Sequence, residues 1–144
     1  MIGTEMVRIC SFVHSKGYLH RDIKPDNYMF GKNSKVNRLY MIDFGLSKKF
    51  LNSEGKHIPI ITGKKLVGTA RYASINTHRG LEQGRRDDLE SIGYILIYLY
   101  KGKLPWQGLR IEPGEDHYQK ISEKKQEVKI SELCESLPKQ FAAY

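Results

Sequence analysis

The sequence has few cysteines and lacks a long apolar run. Its longest apolar stretch lies around residues 92–100, far short of the roughly 20 residues that a membrane-spanning helix needs. The N-terminus shows no basic region followed by an apolar stretch and a cleavage site, as a secretory signal would. From these absences we expect a soluble protein of the cytoplasm or the nucleus that has no membrane partner.

Metal-type spacing of cysteines is also absent. The chain has two cysteines, Cys10 and Cys134, and each lies within an apolar pattern. We therefore interpret both as core residues rather than as disulfide partners or metal ligands. No internal repeat or low-complexity linker divides the 144 residues, of which 40% are hydrophobic. A chain of this size and composition is expected to form one domain with one core.

Positive charge is in excess, because 24 lysines and arginines outnumber 16 aspartates and glutamates and give a net charge of +8. This balance favours acidic or phosphorylated partners. The basic residues are scattered along the chain, and no motif that reads a nucleic-acid groove is visible. We therefore expect protein partners and no nucleic acid.

Apolar periodicity predicts a mainly helical domain. A first helix is predicted from Ile2 through Val13, where apolar residues recur at helical spacing, and Gly17 is placed to end it in a left-handed cap. Amphipathic patterns predict two further helices, at residues 116–125 and 130–136.

A small β-hairpin is predicted between the first helix and a long loop. Residues 28–30 and 39–42 are short apolar segments, and the sequence between them is rich in turn-forming residues. Residues 43–76 show little periodicity and contain many glycines, lysines, serines and threonines. Because a connection of this length is unusual in a compact domain, we interpret it as a functional loop.

A central helix is predicted at residues 87–100, because apolar residues there occupy every side of the helix after its first turn. Asp87 and Asp88 stand at its start. Two interpretations remain open for them: capping of the free backbone N–H groups of the first turn, or support of the loop at residues 20–27.

Two motifs stand on either side of the predicted hairpin. The motif HRDIKPDN at residues 20–27 precedes it, and IDFG at residues 42–45 follows it. Each motif alone is a weak signal. Their order, together with the loop, hairpin and loop that carry them, is typical of sites that transfer a phosphoryl group to a hydroxyl group of a protein.

The polar residues of these motifs predict a division of roles. Asp22 would orient the substrate hydroxyl group and accept its proton, while Lys24 would neutralise charge on the transferring phosphoryl group. Asn27 and Asp43 supply hard oxygen atoms of the kind that Mg²⁺ prefers. We therefore predict Asp22 and Lys24 as catalytic residues, Asn27 and Asp43 as metal ligands, and Lys24 with both ligands as the residues that bind the cofactors ATP and Mg²⁺.

With these motifs the sequence resembles protein kinases, and more narrowly the casein kinase I family. The narrower resemblance extends over residues 1–144 and includes GTARYASINTH (68–78), RRDDLESIGY (85–94), LPWQGL (104–109) and ISEKK (121–125). It implies the helical C-terminal lobe of the protein-kinase fold, with a catalytic loop at 20–27, an activation segment at 43–76 and transfer of the γ-phosphoryl group of ATP to serine or threonine.

Two details of the activation segment fit this resemblance. Most protein kinases end the segment with Ala-Pro-Glu, whereas residues 74–76 here are Ser-Ile-Asn, which is similar to the casein kinase I family. Thr69 occupies the position from which serine/threonine kinases tie the substrate loop to the residues equivalent to Asp22 and Lys24. Serine or threonine is therefore the expected acceptor.

The 144 residues contain no glycine-rich phosphate loop, no strand lysine for the α- and β-phosphates and no hinge for adenine. We therefore expect the chain to be the larger lobe alone, with the N-terminal lobe absent, and to be inactive by itself. The alternative is a kinase-like lobe without catalytic activity that binds substrates or a partner. The presence of Asp22, Lys24, Asn27 and Asp43 favours the kinase.

The resemblance also implies a preference for substrates with an acidic or phosphorylated residue before the target serine or threonine. Arg71 matches an arginine of the basic cluster that receives this anion in the family. The family's second basic stretch is replaced here by EPGEDH at residues 112–117, so His117 is left to supply positive charge when it is protonated. We therefore predict Thr69, Arg71 and His117 as substrate-binding residues, with a weaker preference for phosphorylated peptides than the family shows.

Overall fold

Helices supply most of the regular structure in the computed structural model, which describes residues 2–144. The strands found in these residues are short and pair as two separate two-stranded antiparallel sheets. In chain order the elements are α1 (Ile2–Ser15), β1 (Tyr18–Leu19), β2 (Tyr28–Phe30), β3 (Leu39–Met41), β4 (Lys48–Lys49), α2 (Ile75–His78), α3 (Arg85–Lys101), α4 (His117–Glu127), α5 (Ile130–Leu133) and α6 (Gln140–Ala143). The predicted mainly helical architecture with a small hairpin is confirmed.

Helix α1 follows the pattern that its sequence predicts. Met6, Cys10 and Val13 are buried on the side of α1 that faces the core, and α1 packs against α3. Gly17, two positions after the end of α1, has a φ of 80°, so a left-handed glycine follows the helix, as predicted. Cys10 and Cys134 are both buried and both free, which confirms their interpretation as core residues.

Strands β2 and β3 form the predicted hairpin, with Tyr28 opposite Met41. The second strand ends one residue earlier than predicted. At the open end of the hairpin, the N–H group of Ile42 donates to the carbonyl group of Asn27 at 2.9 Å. The hairpin therefore brings the two motif loops next to each other.

The segment at residues 43–76 is mostly irregular, in agreement with its lack of periodicity, but it contains the short strand β4. Strand β4 pairs with β1, with Tyr18 opposite Lys49. Beside this pair, the N–H group of Phe50 donates to the carbonyl group of Gly17. A two-residue strand is too short to have a readable period in the sequence, so it is recognised only from its pairing.

Helix α3 is the predicted central helix, and its middle turns are buried on most sides. Ile92 and Ile95 are almost inaccessible, whereas Leu99 and Tyr100 in the last turn are 52% and 61% exposed. The predicted burial on every side is therefore wrong for the last turn, because apolar composition does not determine how far neighbouring elements cover a helix. Neither α3 nor any other helix within residues 2–144 is long and apolar enough to cross a bilayer.

The C-terminal helices agree only partly with the sequence pattern. Helix α4 begins after Asp116, whose carboxylate accepts from the N–H groups of Tyr118 and Gln119, and it extends two residues beyond the predicted end. The helix predicted at residues 130–136 is reduced to the single turn of α5. Ser136 has a φ of 65°, a left-handed conformation that a helix cannot contain.

Candidate active site

The predicted catalytic loop at residues 20–27 is held in place by the first turn of α3. The N–H groups of His20 and Arg21 donate to the two carboxylate oxygen atoms of Asp88, each at 2.9 Å. Arg21 has a φ of 67°, which is unusual for a residue with a long side chain. The buried carboxylate of Asp88 therefore stabilises the loop in a conformation that the loop would not favour alone.

The two aspartates at the start of α3 have different roles, so both interpretations of this pair are correct. Asp88 supports the loop because its carboxylate accepts the two hydrogen bonds from the loop backbone. Asp87 accepts a hydrogen bond from the N–H group of Gly84 at 2.6 Å and caps the helix. The hydroxyl group of Ser74 donates to the other oxygen atom of Asp87, which also fixes the end of the activation segment to α3.

His20 connects the two motifs through the interior. Its ring is fully buried, and its Nε2 atom lies 3.0 Å from the carbonyl oxygen of Ile42. The N–H group of Asp22 lies 3.3 Å from Nδ1. Because Nδ1 accepts a hydrogen bond from this N–H group, the proton of the neutral imidazole lies on Nε2, which donates to the Ile42 carbonyl group. The edge-on contact with Phe44, at 5.2 Å between ring centroids, completes the connection.

Asp22 is the point at which three predicted site residues meet. Its Oδ1 accepts from the Thr69 hydroxyl group at 2.7 Å, and its Oδ2 lies 2.8 Å from Nζ of Lys24. The amide nitrogen of Asn27 donates to the Asp22 carbonyl group at 2.8 Å. Burial opposes the charge of Asp22, but the hydrogen bonds from Lys24 and Thr69 outweigh burial, so the pKa of Asp22 lies below its usual value.

Lys24 is placed to interact with more than one negative group. The hydrogen bond to Asp22 raises the pKa of Lys24, and the charges of Asp22, Asp26 and Asp43 add to this effect. Lys24 is therefore a permanent cation at neutral pH. Its side chain remains about one quarter exposed, which leaves the ammonium group accessible to a second anion.

Asn27 and Asp43 retain oxygen atoms that suit a hard cation. Asn27 donates through its amide nitrogen, so its carbonyl oxygen Oδ1 keeps its lone pairs. Asp43 is exposed, and the N–H group of Gly45 occupies only its Oδ1 atom, at 3.2 Å. This donor set fits Mg²⁺, which prefers a few oxygen ligands from protein together with water and phosphate.

The activation segment approaches the catalytic loop at a glycine. Gly68 has a φ of 99°, and a Cβ atom at this position would lie 2.3 Å from the carbonyl oxygen of Arg21. No side chain fits at this distance, and the conformation itself is unfavourable for other residues. Gly68 therefore permits the approach that lets Thr69 contact Asp22.

We expect Gly68→Ala to lower the free energy of unfolding by at least about 2 kcal/mol, since conformational strain and backbone contact act together. The matched control is Gly55→Ala, because Gly55 also has a positive φ but a Cβ atom there would have no neighbour within 4 Å. Urea unfolding of both variants gives their free energies of unfolding. The loss in Gly55→Ala measures the conformational strain alone, and the additional loss in Gly68→Ala measures the backbone contact. Equal losses in the two variants would contradict a close approach at Gly68.

The two residues predicted to bind an anion are exposed but are not joined to each other. The guanidinium group of Arg71 lies 5.9 Å from the ring centroid of Tyr72. His117 stacks on Tyr118 with 6.1 Å between ring centroids. Within residues 2–144, no hydrogen bond or ion pair connects Arg71 with His117. Their joint role in binding an anion stays a prediction.

A basic cavity next to the catalytic loop was not found by sequence reasoning. It has a volume of about 170 Å³, and Arg21, Lys48, Lys64 and Lys65 contribute to its lining. The buried carboxylate of Glu82 lies 3.0 Å from Lys48 and 3.5 Å from Lys64 and neutralises part of the charge. The cations come from distant parts of the chain and have no common spacing, so no sequence signal pointed to the cavity.

A second cluster missed in the sequence consists of Cys10, His14 and Asp88, whose possible ligand atoms lie within 4.8 Å of one another. His14 Nε2 lies 2.8 Å from Asp88 Oδ2 and 3.4 Å from Cys10 Sγ. Both Asp88 oxygen atoms already accept backbone hydrogen bonds. Burial raises the pKa of Cys10, which keeps the thiol protonated and unsuited to a metal. We interpret the cluster as structural.

The comparison with protein families agrees with this geometry. The family model described as "Protein kinase domain" matches residues 1–142. The match includes the catalytic loop, the hairpin and the activation segment. The chain therefore belongs to the protein kinase domain family.

Proposed function

We propose that this chain provides the catalytic and substrate-binding lobe of a serine/threonine protein kinase of the casein kinase I type. The observation that carries the proposal is the simultaneous contact of Asp22 with Lys24, Thr69 and Asn27. These contacts join the catalytic loop to the activation segment in one polar cluster. A lobe that only binds a partner has no chemical need for this cluster.

Asp22 would act on the hydroxyl group of the substrate. Since its pKa lies below the usual value, the carboxylate is ionised at neutral pH and can accept a hydrogen bond from the hydroxyl group. A carboxylate with a low pKa is a weak base. Its main contribution is therefore to orient the hydroxyl oxygen, and it accepts the proton as the new bond to phosphorus forms.

Lys24 would neutralise the negative charge of the phosphoryl group while that group is transferred to the substrate hydroxyl. Its ammonium group bonds Asp22 on one side and is accessible on the other. Such a preorganised cation stabilises charge that develops during the reaction without having to reorganise. Thr69 holds the activation segment against the carboxylate of Asp22. A substrate bound along this segment would therefore lie at a fixed distance from Asp22.

ATP and Mg²⁺ are the cofactors of the proposed reaction. Asn27 Oδ1 and the carboxylate of Asp43 are the atoms of this chain that would hold Mg²⁺. The bound cation would supply charge neutralisation at the phosphates. Asp43, two residues after the end of β3, has a φ of 60°, which aspartate tolerates better than most residues.

The test of the proposed function adds an ATP-binding small lobe in front of residue 1, because residues 1–144 contain no glycine-rich loop. We expect the joined protein to transfer the γ-phosphoryl group of ATP to a serine peptide and not to the matching tyrosine peptide. The assay measures incorporated phosphate. Binding of the serine peptide without any transfer would support the non-catalytic alternative instead.

We also propose that acidic or phosphorylated substrates are received near Arg71 and His117. The acids beside His117 are partly neutralised, since Glu112 pairs with Arg110 at 2.8 Å and Glu115 pairs with Lys120. A remaining negative charge at residues 112–117 disfavours a bound phosphate at short range.

We expect the preference for a phosphorylated peptide to be weak. The measurement is the ratio of kcat/KM for phosphorylated and unphosphorylated serine peptides in the joined protein. His117→Lys should raise the ratio, while Arg71→Ala should lower it. If neither variant changes the ratio but Lys65→Ala lowers it, the anion binds in the basic cavity instead.

A further inference from the structure

A buried lysine lies beneath residues 68–74, the part of the activation segment next to Asp22. Lys125 on α4 is only 3% exposed, although lysine is rarely buried without a charged partner. Its Nζ atom donates to the carbonyl group of Ala70 at 2.9 Å and to that of Ala73. Within residues 2–144, no carboxylate forms an ion pair with it. Two main-chain carbonyl groups are therefore its hydrogen-bond partners.

The same stretch of backbone is anchored by other side chains. The indole N–H group of Trp106 donates to the carbonyl group of Arg71 at 2.7 Å, and Nε2 of His78 lies 3.1 Å from the carbonyl oxygen of Ala70. Two N–H groups of the segment itself, those of Tyr72 and Ala73, donate to the Thr69 carbonyl group. The backbone that follows Thr69 is therefore fixed from below by side chains that are distant in sequence.

The charged and titratable groups around Lys125 come from α2 and α3. Its Nζ atom lies 4.8 Å from the ring centroid of Tyr94 and 5.0 Å from that of Trp106. Burial lowers the pKa of Lys125 to about 7, while the charge of Glu90 acts in the opposite direction. Burial, followed by the charge of Lys125, lowers the pKa of His78 to about 4. At neutral pH His78 is therefore neutral, while Lys125 populates both its neutral and its charged form.

The neutral form of Lys125 matches the site. A neutral amine has two N–H groups, and the site offers two carbonyl acceptors, those of Ala70 and Ala73. The added proton of an ammonium group would introduce a buried charge without a carboxylate partner. Protonation is therefore expected to weaken the folded arrangement around this side chain.

We propose that Lys125 is a positioning residue for the substrate: it fixes the backbone of residues 68–74 through the carbonyl groups of Ala70 and Ala73, and acidification loosens this segment. The substrate-facing role of the segment rests on the proposed function. The anchoring of the segment does not, because it follows from the contacts of Lys125 alone.

The anchoring is tested by amide hydrogen exchange of the 144-residue chain without ATP. We expect Lys125→Met to lower the protection of the Tyr72 and Ala73 amides about tenfold or more, since two hydrogen bonds are lost. The matched control is Lys124→Met, because the Lys124 side chain is 38% exposed and its ammonium group pairs with Glu127. Unchanged protection in Lys125→Met, or an equal loss in Lys124→Met, would refute the anchoring.

The pH dependence gives an independent test in the unmodified chain. Since the pKa of Lys125 is lowered in the folded state, an opened segment binds more protons than a closed one between pH 7 and 9, so protection should rise across this range. Lys125→Arg keeps its charge at these pH values, so its protection should be low and flat with pH. A flat profile in the unmodified chain would contradict the proposal, even if Lys125→Met failed to fold.

The link to substrate is measured separately, by the fluorescence anisotropy of a labelled serine peptide with aspartates before the serine. We expect Lys125→Met to weaken binding of this peptide about tenfold while Lys124→Met leaves it unchanged. Loss of protection without loss of peptide affinity would leave the anchoring in place and refute the substrate role. If the joined protein transferred no phosphate, the proposed function would be refuted, but the anchoring by Lys125 would not.

Discussion

Asp22→Asn is expected to lower phosphoryl transfer in the joined protein by about 10² to 10⁴-fold, the usual contribution of a positioned proton acceptor. Asparagine has nearly the same shape and can still accept the hydrogen bond from the Thr69 hydroxyl group. It loses the negative charge that Lys24 contacts at 2.8 Å and that a serine hydroxyl group would meet. The effect should therefore fall on kcat, with little change in KM for the peptide.

The control for this experiment is Asp26→Asn, which makes the same chemical change four residues later in the same loop. Asp26 is exposed and forms no ion pair shorter than 4 Å within residues 2–144. Its substitution should leave kcat within about twofold, since single exposed charges interact weakly through water. If Asp22→Asn and Asp26→Asn had the same kcat, the catalytic role of Asp22 would be wrong.

The parts of the fold that were predicted from the sequence depend on neighbouring residues. The period of apolar residues in α1 and the left-handed glycine after it are local signals, and so is the turn between β2 and β3. The catalytic loop was also predicted from a local signal, because Asp22, Lys24 and Asn27 lie within six positions of one another. A short motif can identify such residues without any knowledge of the three-dimensional structure.

The contacts that hold the site together join residues far apart in the sequence. Asp88 bonds the backbone at His20 from 68 positions away, and Lys125 bonds Ala70 from 55 positions away. Neither contact has a periodic or spacing signal. From the sequence, Asp88 had two open interpretations and Lys125 was one of many lysines. Their roles become visible only in the structure, where Asp88 on α3 contacts the backbone of His20 and Lys125 on α4 contacts the backbone of Ala70.

Local preference also fails where the backbone is strained. Arg21 and Asp43 both have positive φ angles, and no propensity rule predicts this conformation for an arginine. Arg21 is held by longer-range contacts, since it donates through its backbone to Asp88 and through its side chain to the Leu46 carbonyl group. Strained residues of this kind concentrate at functional sites, where surrounding structure stabilises them.

Asp88→Asn is expected to lower the free energy of unfolding by about 3–5 kcal/mol, although it changes the shape of the side chain very little. One amide NH₂ group would replace an oxygen atom that accepts from a backbone N–H group, so two donors would face each other in a buried site. Loss of this support should release the strained conformation of Arg21. Protection of the His20 and Arg21 amides from hydrogen exchange should fall accordingly.

The matched control for Asp88→Asn is Asp116→Asn, at the exposed start of α4. Asp116 accepts from the N–H groups of Tyr118 and Gln119, and asparagine is about as good an N-terminal cap as aspartate. This variant should therefore unfold within about 0.5 kcal/mol of the unmodified chain in urea. If both variants lost the same small amount, Asp88 would be an ordinary helix cap. The catalytic loop would then have to be stabilised by its contacts with Phe44 and Ile42.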